Sequence, residues 1–360
     1  MGYHLSDRGR TALGNLYRHI GQLNGTGNVH KLFSVDPTAE QRLEDMQREQ
    51  VGFLDRINVE SVRDLIGEVI GLYTEDFIAR RTSSAQLPRR PRYVGGMQDR
   101  KYQLYETEFD TNLPWAKIDA WSKFKDFPAR YAAHVAISIA LSRISIGWHG
   151  THAAAHSNPE TSPNGEDMNI GWLQKLRIEK PSHVMGRALV NDQAVGDDQP
   201  IHIHANADYK NVDALAYDLI AGMPSWARNS TEHVVVVSQD LVDEKYFPMI
   251  NRPLSGTIDG GKATSDEVTY DVIMSRKQIG GRPAAIVPKF PDGTMFITPL
   301  KNLSIYWQEG SRRRFIRDEP ENKVALADYN SINEGYVIED TDFAVLAENI
   351  TFTDPNAPAE

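Results

Sequence analysis

The chain has 360 residues, 39 lysines and arginines against 49 aspartates and glutamates, a net charge of −10, and no cysteine. Without a thiol it has no disulfide framework, no cysteine-ligated zinc or iron–sulfur site and no cysteine nucleophile. With 40% hydrophobic and 9% aromatic residues it can bury a large core, while its acidic balance argues against a general nucleic-acid binder, which presents a basic face to phosphates.

The opening residues carry Asp7, Arg8 and Arg10 with no apolar run behind them, so no secretory leader is expected and synthesis should end in a cytoplasm. Residues 6–25 read as an amphipathic helix: Leu13, Leu16, Tyr17, Ile20 and Leu23 share a face, Ser6 or Asp7 caps the start, and Asn24-Gly25 stops it. The glycines that follow predict a hinge, so this helix is expected as a detachable arm and not as part of the body. It is basic: residues 1–33 carry +3, leaving −13 for the remainder.

Asp36-Pro37 opens a second helix with an apolar stripe of Leu43, Met46, Phe53, Leu54 and Ile57. From Gly67 to about residue 114 the pattern is strand-like at Val69 to Tyr73 and Tyr102 to Phe109. Between them lies a polar stretch with Arg80, Arg81, Arg89, Arg90 and Arg92. Such a segment cannot build its own core, so it reads as a hairpin arm that finds partners on another chain or else stays mobile.

A nearly all-apolar helix is expected over 127–146, a central spine about 30 Å long. The longest uncharged run within it, 131–142, is bounded by Arg130 and Arg143 and is well short of the roughly 18 residues of a membrane span. A polar loop follows from Gly147 to Asn169. Helices are then expected at 212–222 and 239–247, and strands at 232–237, 269–274, 284–288, 295–298 and 303–307. The tail 353–360 is disordered by composition. The fold class is α+β.

A metal-dependent hydrolase is the alternative that side-chain chemistry raises. His149, His152 and His156 lie three and four apart, and His202 and His204 alternate along a strand, with Glu160 or Asp208 as further ligands. Against it, the trio falls in a loop rich in small residues and no HExxH supplies a general base. Residues 256–263 nearly match a phosphate-binding loop, but Ala263 stands where a hydroxyl must reach magnesium. Arg312-Arg313-Arg314 is balanced by Asp318, Glu319 and Glu321, so it reads as intersubunit ion pairs or a solvated face. No catalytic, cofactor-binding or metal site is therefore assigned.

Longer blocks carry a different signal: Ile170 to Arg177, Asp243 to Asn251, Arg276 to Gly280, Lys301 to Tyr306, and Asp328 to Asn333 running on to Asp340. In this order they resemble the major capsid protein of Peduovirus-type contractile-tailed phages. The resemblance implies the Hong Kong 97 (HK97-like) capsid fold and a structural role: self-assembly as hexamers and pentamers into an icosahedral head around double-stranded DNA, without sequence-specific binding and without a membrane. By that likeness 1–33 is an N-terminal arm removed on maturation and 34–66 the mature N-arm. The E-loop is 67–114, the P-domain 115–205 and the A-domain 206–302, with a return to the P-domain over 303–352. The family pattern also implies an internal scaffold and maturation protease, a cut near Phe33–Ser34 and a portal protein at one vertex; the stretches 151–167 and 80–92 depart from that pattern and are where contacts special to this chain, such as with a decoration protein, are expected. The five E-loop arginines are the expected intersubunit contacts.

Overall fold

The structure, a computed structural model, describes residues 5–69, 100–250, 277–319 and 324–353. Helix α1 (Asp7–Asn24) starts where the Ser6 hydroxyl accepts from the Gly9 amide, and it ends at Gly25, whose φ of 70° is the left-handed closing position that glycine adopts without strain. Strand β1 (Phe33–Ser34) leads to α2 (Pro37–Gln50), capped by the Asp36 carboxylate. The short strands β2 (Asn58–Val62), β3 (Ile66–Glu68), β4 (Lys101–Gln103), β5 (Tyr105–Glu108) and β6 (Thr111–Leu113) precede α3 (Trp115–Trp121) and the spine α4 (Phe127–His149). Next come α5 (Trp172–Glu179), β7 (Val184–Met185), β8 (Ile201–His202), α6 (Val212–Gly222), α7 (Ser225–Arg228), β9 (Val234–Val237) and α8 (Gln239–Ile250). The remaining strands are β10 (Gln278–Ile279), β11 (Arg282–Ile286), β12 (Met295–Thr298), β13 (Leu303–Gln308), β14 (Arg313–Glu319), β15 (Val324–Ile338), β16 (Val345–Ala347) and β17 (Ile350–Thr351).

Two sheets organise these elements. In the first, β15 is the axis: it pairs antiparallel with β13, β14, β5 and β6, while β2 adds parallel to β13 and β1 adds antiparallel to β14. The second has the order β10-β11-β9-β12-β16-β7. Its central strands are apolar on both faces. Val236, Phe296 and Leu346 enter the core beneath α4, and Val235, Val237, Met295 and Ile297 enter the core beneath α6 and α8. This two-sided burial explains the uninterrupted valines of β9. β7 and β16 complete this sheet from outside the 206–302 stretch expected as the A-domain.

The spine continues beyond its expected end. Residues 147–149 stay helical because Trp148 is fully buried against Phe53, Trp172, Phe290 and Phe296. Gly147 makes this crossing possible: a β-carbon there would lie 2.3 Å from Cζ3 of Trp172. The described pairing nearest the expected hairpin joins 66–68 to 101–103, ahead of the strand expected at 69–73, of which 70–73 lie outside the described residues.

The detachable arm is not observed as such. Ala12, Leu13, Leu16 and Ile20 pack into a third core with Leu113, Ile118, Phe127, Tyr131, Ile316 and Leu326. The glycine-rich stretch closes back on the helix, with the Thr26 amide bonded to the Gly21 carbonyl at 2.9 Å. An amphipathic stripe shows that a helix has an apolar face, but not whether its groove lies on the same chain.

Candidate functional site

Three features define the surfaces and joints this fold offers: the N-terminal segment, a buried charge network, and the clamp at Arg100. The N-terminal segment is bound along the rim of the first sheet. The Ile316 amide donates to the Val29 carbonyl at 2.9 Å and Val35 donates to Arg312 at 3.1 Å, while Phe33 and Ser34 stand opposite Arg314 and Arg313. His30 meets the Ile316 carbonyl at 3.2 Å through Nδ1 and packs edge-on against Tyr17. The Phe33–Ser34 bond thus sits within a paired strand, with Phe33 half-buried and Ser34 exposed.

Beneath that rim lies the most strongly charged part of the interior. Arg143, 1% exposed on the spine, donates from Nη1 to Glu44 at 2.6 Å and to Gln47 at 2.8 Å, and from Nε to Glu334 at 2.8 Å. Arg312 also reaches Glu44, and Glu40 accepts the backbone amides of Gly310 and Arg312. Burial alone would raise Glu44, but the Arg143 and Arg312 guanidiniums outweigh it and hold this carboxyl below its usual range. Glu334 is pushed up instead, by burial first, since Arg143 offsets that only partly and the Glu44 charge adds to it. One arginine thereby ties α2, α4 and β15 together.

This network corrects the reading of Arg312-Arg313-Arg314. Arg312 and Arg314 are intrachain partners of Glu44 and Asp328, the latter through two bonds of 2.9 and 2.6 Å, and only Arg313 is exposed. Arg143 marked no more than the end of an apolar run in the sequence. The available signal was on α2, where Glu40, Glu44 and Gln47 recur at spacings of four and three and so share one helix face.

A third feature is a clamp at Arg100. Arg100, at the base of the E-loop, bonds Glu179 at 2.8 Å and the carbonyls of Ile338 and Glu339 at 2.7 and 3.0 Å. Arg80, Arg81, Arg89, Arg90 and Arg92 lie outside the described residues, as do the phosphate-loop-like stretch 256–263 and the strand expected at 269–274.

The histidines of the hydrolase alternative are dispersed. His149 sits on the last turn of the spine, its Nε2 2.9 Å from the Lys289 carbonyl. His152 bonds the neighbouring Thr151 hydroxyl, and His156, Glu160 and Asp208 are exposed. The His202 and His204 rings are 6.2 Å apart, with His202 Nδ1 on the Thr353 carbonyl. Among the described residues no group of three or more histidines and carboxylates could hold a metal ion. An open cleft of about 390 Å³ lies between the spine and the 157–168 loop. Ser145 lines it, but its hydroxyl is bonded to the Asn164 carbonyl.

Known proteins resemble this chain over nearly its whole length. Residues 12–350 match the family described as phage major capsid protein, P2 family. The chain is 33% identical over 345 residues to the capsid proteins of Escherichia phage P2, covering 95% of this chain and 94% of that one. It is also 33% identical to the major capsid protein of Serratia phage KSP20, covering 90% of each. Among solved structures, a chain of the satellite phage P4 procapsid including size determination (Sid) protein superposes with a TM-score of 0.76 at 30% identity, covering 95% of this chain and 98% of that one.

Proposed function

This chain belongs to the P2 family of phage major capsid proteins and is the structural shell protein of a tailed phage with the Hong Kong 97 capsid fold; from that premise we propose how it builds and matures a head. Copies associate as hexamers and pentamers around an internal scaffold, close into an icosahedral shell with a portal protein at one vertex, and enclose double-stranded DNA without reading its sequence. The observation that carries this is the superposition of nearly the whole chain on a procapsid subunit. A shell needs broad complementary surfaces and stiff joints, not a catalytic pocket. The buried Arg143 network supplies such a joint, Arg100 anchors the chain where the E-loop returns, and the E-loop arginines meet a neighbour or a decoration protein. No catalytic activity is proposed.

Residues 1–33 are released by a cut near Phe33–Ser34. Removal takes the net charge from −10 to −13, which favours an inner wall that does not retain packaged DNA. Because α1 is docked, the cut alone does not free it. Release strips the cover from Leu113, Ile118, Phe127 and Tyr131. Intact mass of the subunit from mature particles tests this, the expected value being that of a chain starting near Ser34. A full-length subunit in mature heads overturns the processing. Negative-stain microscopy of the chain co-produced with its scaffold tests the assembly: closed shells are expected, and small oligomers alone would contradict it.

A further inference from the structure

Beyond the rim of the second sheet, residues 187–198 form a stiff hairpin with an apolar outer surface. Its limbs pair through Ala188 and Asp197, Gly196 and Ala188, and reciprocally through Val190 and Gln193, all at 2.8–3.0 Å. Asn191 and Asp192 turn its tip with φ of 50° and 59°, the left-handed pair that a tight two-residue hairpin turn requires. The base is locked. Arg187 bonds Glu348 at 2.8 Å and Asp198 at 3.1 Å, and the Gly186 carbonyl accepts from Gln199 and Asn349. Buried Ala194 hangs from the Arg177 carbonyl. Yet Leu189 is 63% exposed, Val190 47% and Val195 37%. A rigid support presenting a cluster of exposed aliphatic side chains is the arrangement of a docking element, since little ordering entropy opposes association.

A second surface complements it. Around the turn from α3 into the spine, Trp121 is 41% and Phe124 45% exposed. Lys123 and Arg130 lie over the Phe124 ring at 5.2 and 5.5 Å. The turn borders an open hollow of about 540 Å³. Residues 121–130 carry +2, whereas 187–198 carry −2. Both surfaces are exposed within one chain, so they do not cover each other there.

We propose that the 187–198 hairpin of one copy seats Leu189, Val190 and Val195 against Trp121 and Phe124 of a second copy, with Asp192 and Asp197 facing Lys123 and Lys125. Two different patches meet, so the contact is head-to-tail and propagates around a ring or across a shell. It rests on the assembly of copies proposed above.

The absence of cysteine gives a clean test in the full-length chain. Particles carrying V190C together with K123C, oxidised and run on a non-reducing gel, should give a ladder of covalent multimers, while either single variant stops at dimers. Asp192→Lys with Asp197→Lys should lower particle yield at least tenfold, and adding Lys123→Asp with Lys125→Asp should return it to within threefold. Particles of the double-cysteine chain without a ladder, a cross-link to scaffold or decoration protein in place of a second copy, or no rescue by the reversed charges would each overturn the contact alone. An unsubstituted chain that forms no particles overturns the assembly reading, and this contact with it.

Discussion

Arg143→Met is the sharpest test of what holds the subunit together. Methionine keeps the length and most of the volume of the side chain but removes the charge and every donor. Glu44 keeps Arg312, whereas Glu334, fully buried, is left with the Tyr336 hydroxyl at 3.3 Å. Orphaning a buried charge in this way costs about 3–5 kcal/mol. Spread over the unfolding entropy of a chain this long, that lowers the melting temperature by roughly 4–7 °C. The deficit should shrink on going from pH 7 to pH 5. With its arginine gone, the raised folded-state value of Glu334 lies further above its unfolded one. Ionisation then opposes folding at neutral pH, and that opposition disappears as the pH falls through the folded value. Glu44 has the opposite sign: its depressed value gives stability above about pH 4.3 that is lost in stronger acid. The double variant Arg143→Met, Glu334→Leu should recover at least half of the loss, since an apolar pair needs no counter-charge. Thermal and urea unfolding of the unassembled chain, followed by circular dichroism, measure all of this. A loss below about 1 kcal/mol, or a double variant no better than the single one, would refute the account of the network.

Leu16→Ala should cost about 2–5 kcal/mol, because Leu16 is fully buried in the third core. Leu32→Ala, at a side chain 66% exposed, should change stability by less than about 0.5 kcal/mol; equal urea midpoints for the two would show that α1 is not docked. Gly14→Ala and Gly147→Ala make the same chemical change on two helices with opposite outcomes. Nothing lies within 4 Å of a β-carbon at Gly14, so alanine there should stabilise by about 0.5–1 kcal/mol. At Gly147 it strikes Trp172 and should destabilise by about 1–3 kcal/mol or more; matching shifts of the same sign would contradict the packing described.

The elements legible in the sequence were those whose signal is local. Ser6 and Asp36 announce helix starts because a side chain caps its own neighbours, and α6 and β12 fall where periodicity places them. The β14–β15 ribbon was not foreseen as strands, its residues entering only as blocks of the family likeness. Its buried positions include Asp328 and Glu334, with Arg312 just ahead of it, charges that look solvent-facing until their partners Arg314, Arg143 and Glu44 are known. For the same reason Arg143 passed as a boundary. The docking of α1 was hidden because its groove is assembled from 113, 118, 127, 131, 316 and 326, positions that no window along the chain brings together.

The pairing of β2 with β13 joins residues 58–62 to 304–308, and β1 reaches β14 across a similar span. A ribosome adding about 5–20 residues per second needs roughly 12–50 s to make the intervening stretch. Throughout that time the first sheet lacks its far edge and the groove for α1 lacks a wall, so a nascent chain presents neither the finished rim nor the Arg143 joint. Association-competent subunits therefore appear only after synthesis is nearly complete. Growing chains on one messenger cannot make the contacts of finished subunits until the fold closes, and their open edges and groove must be shielded until then.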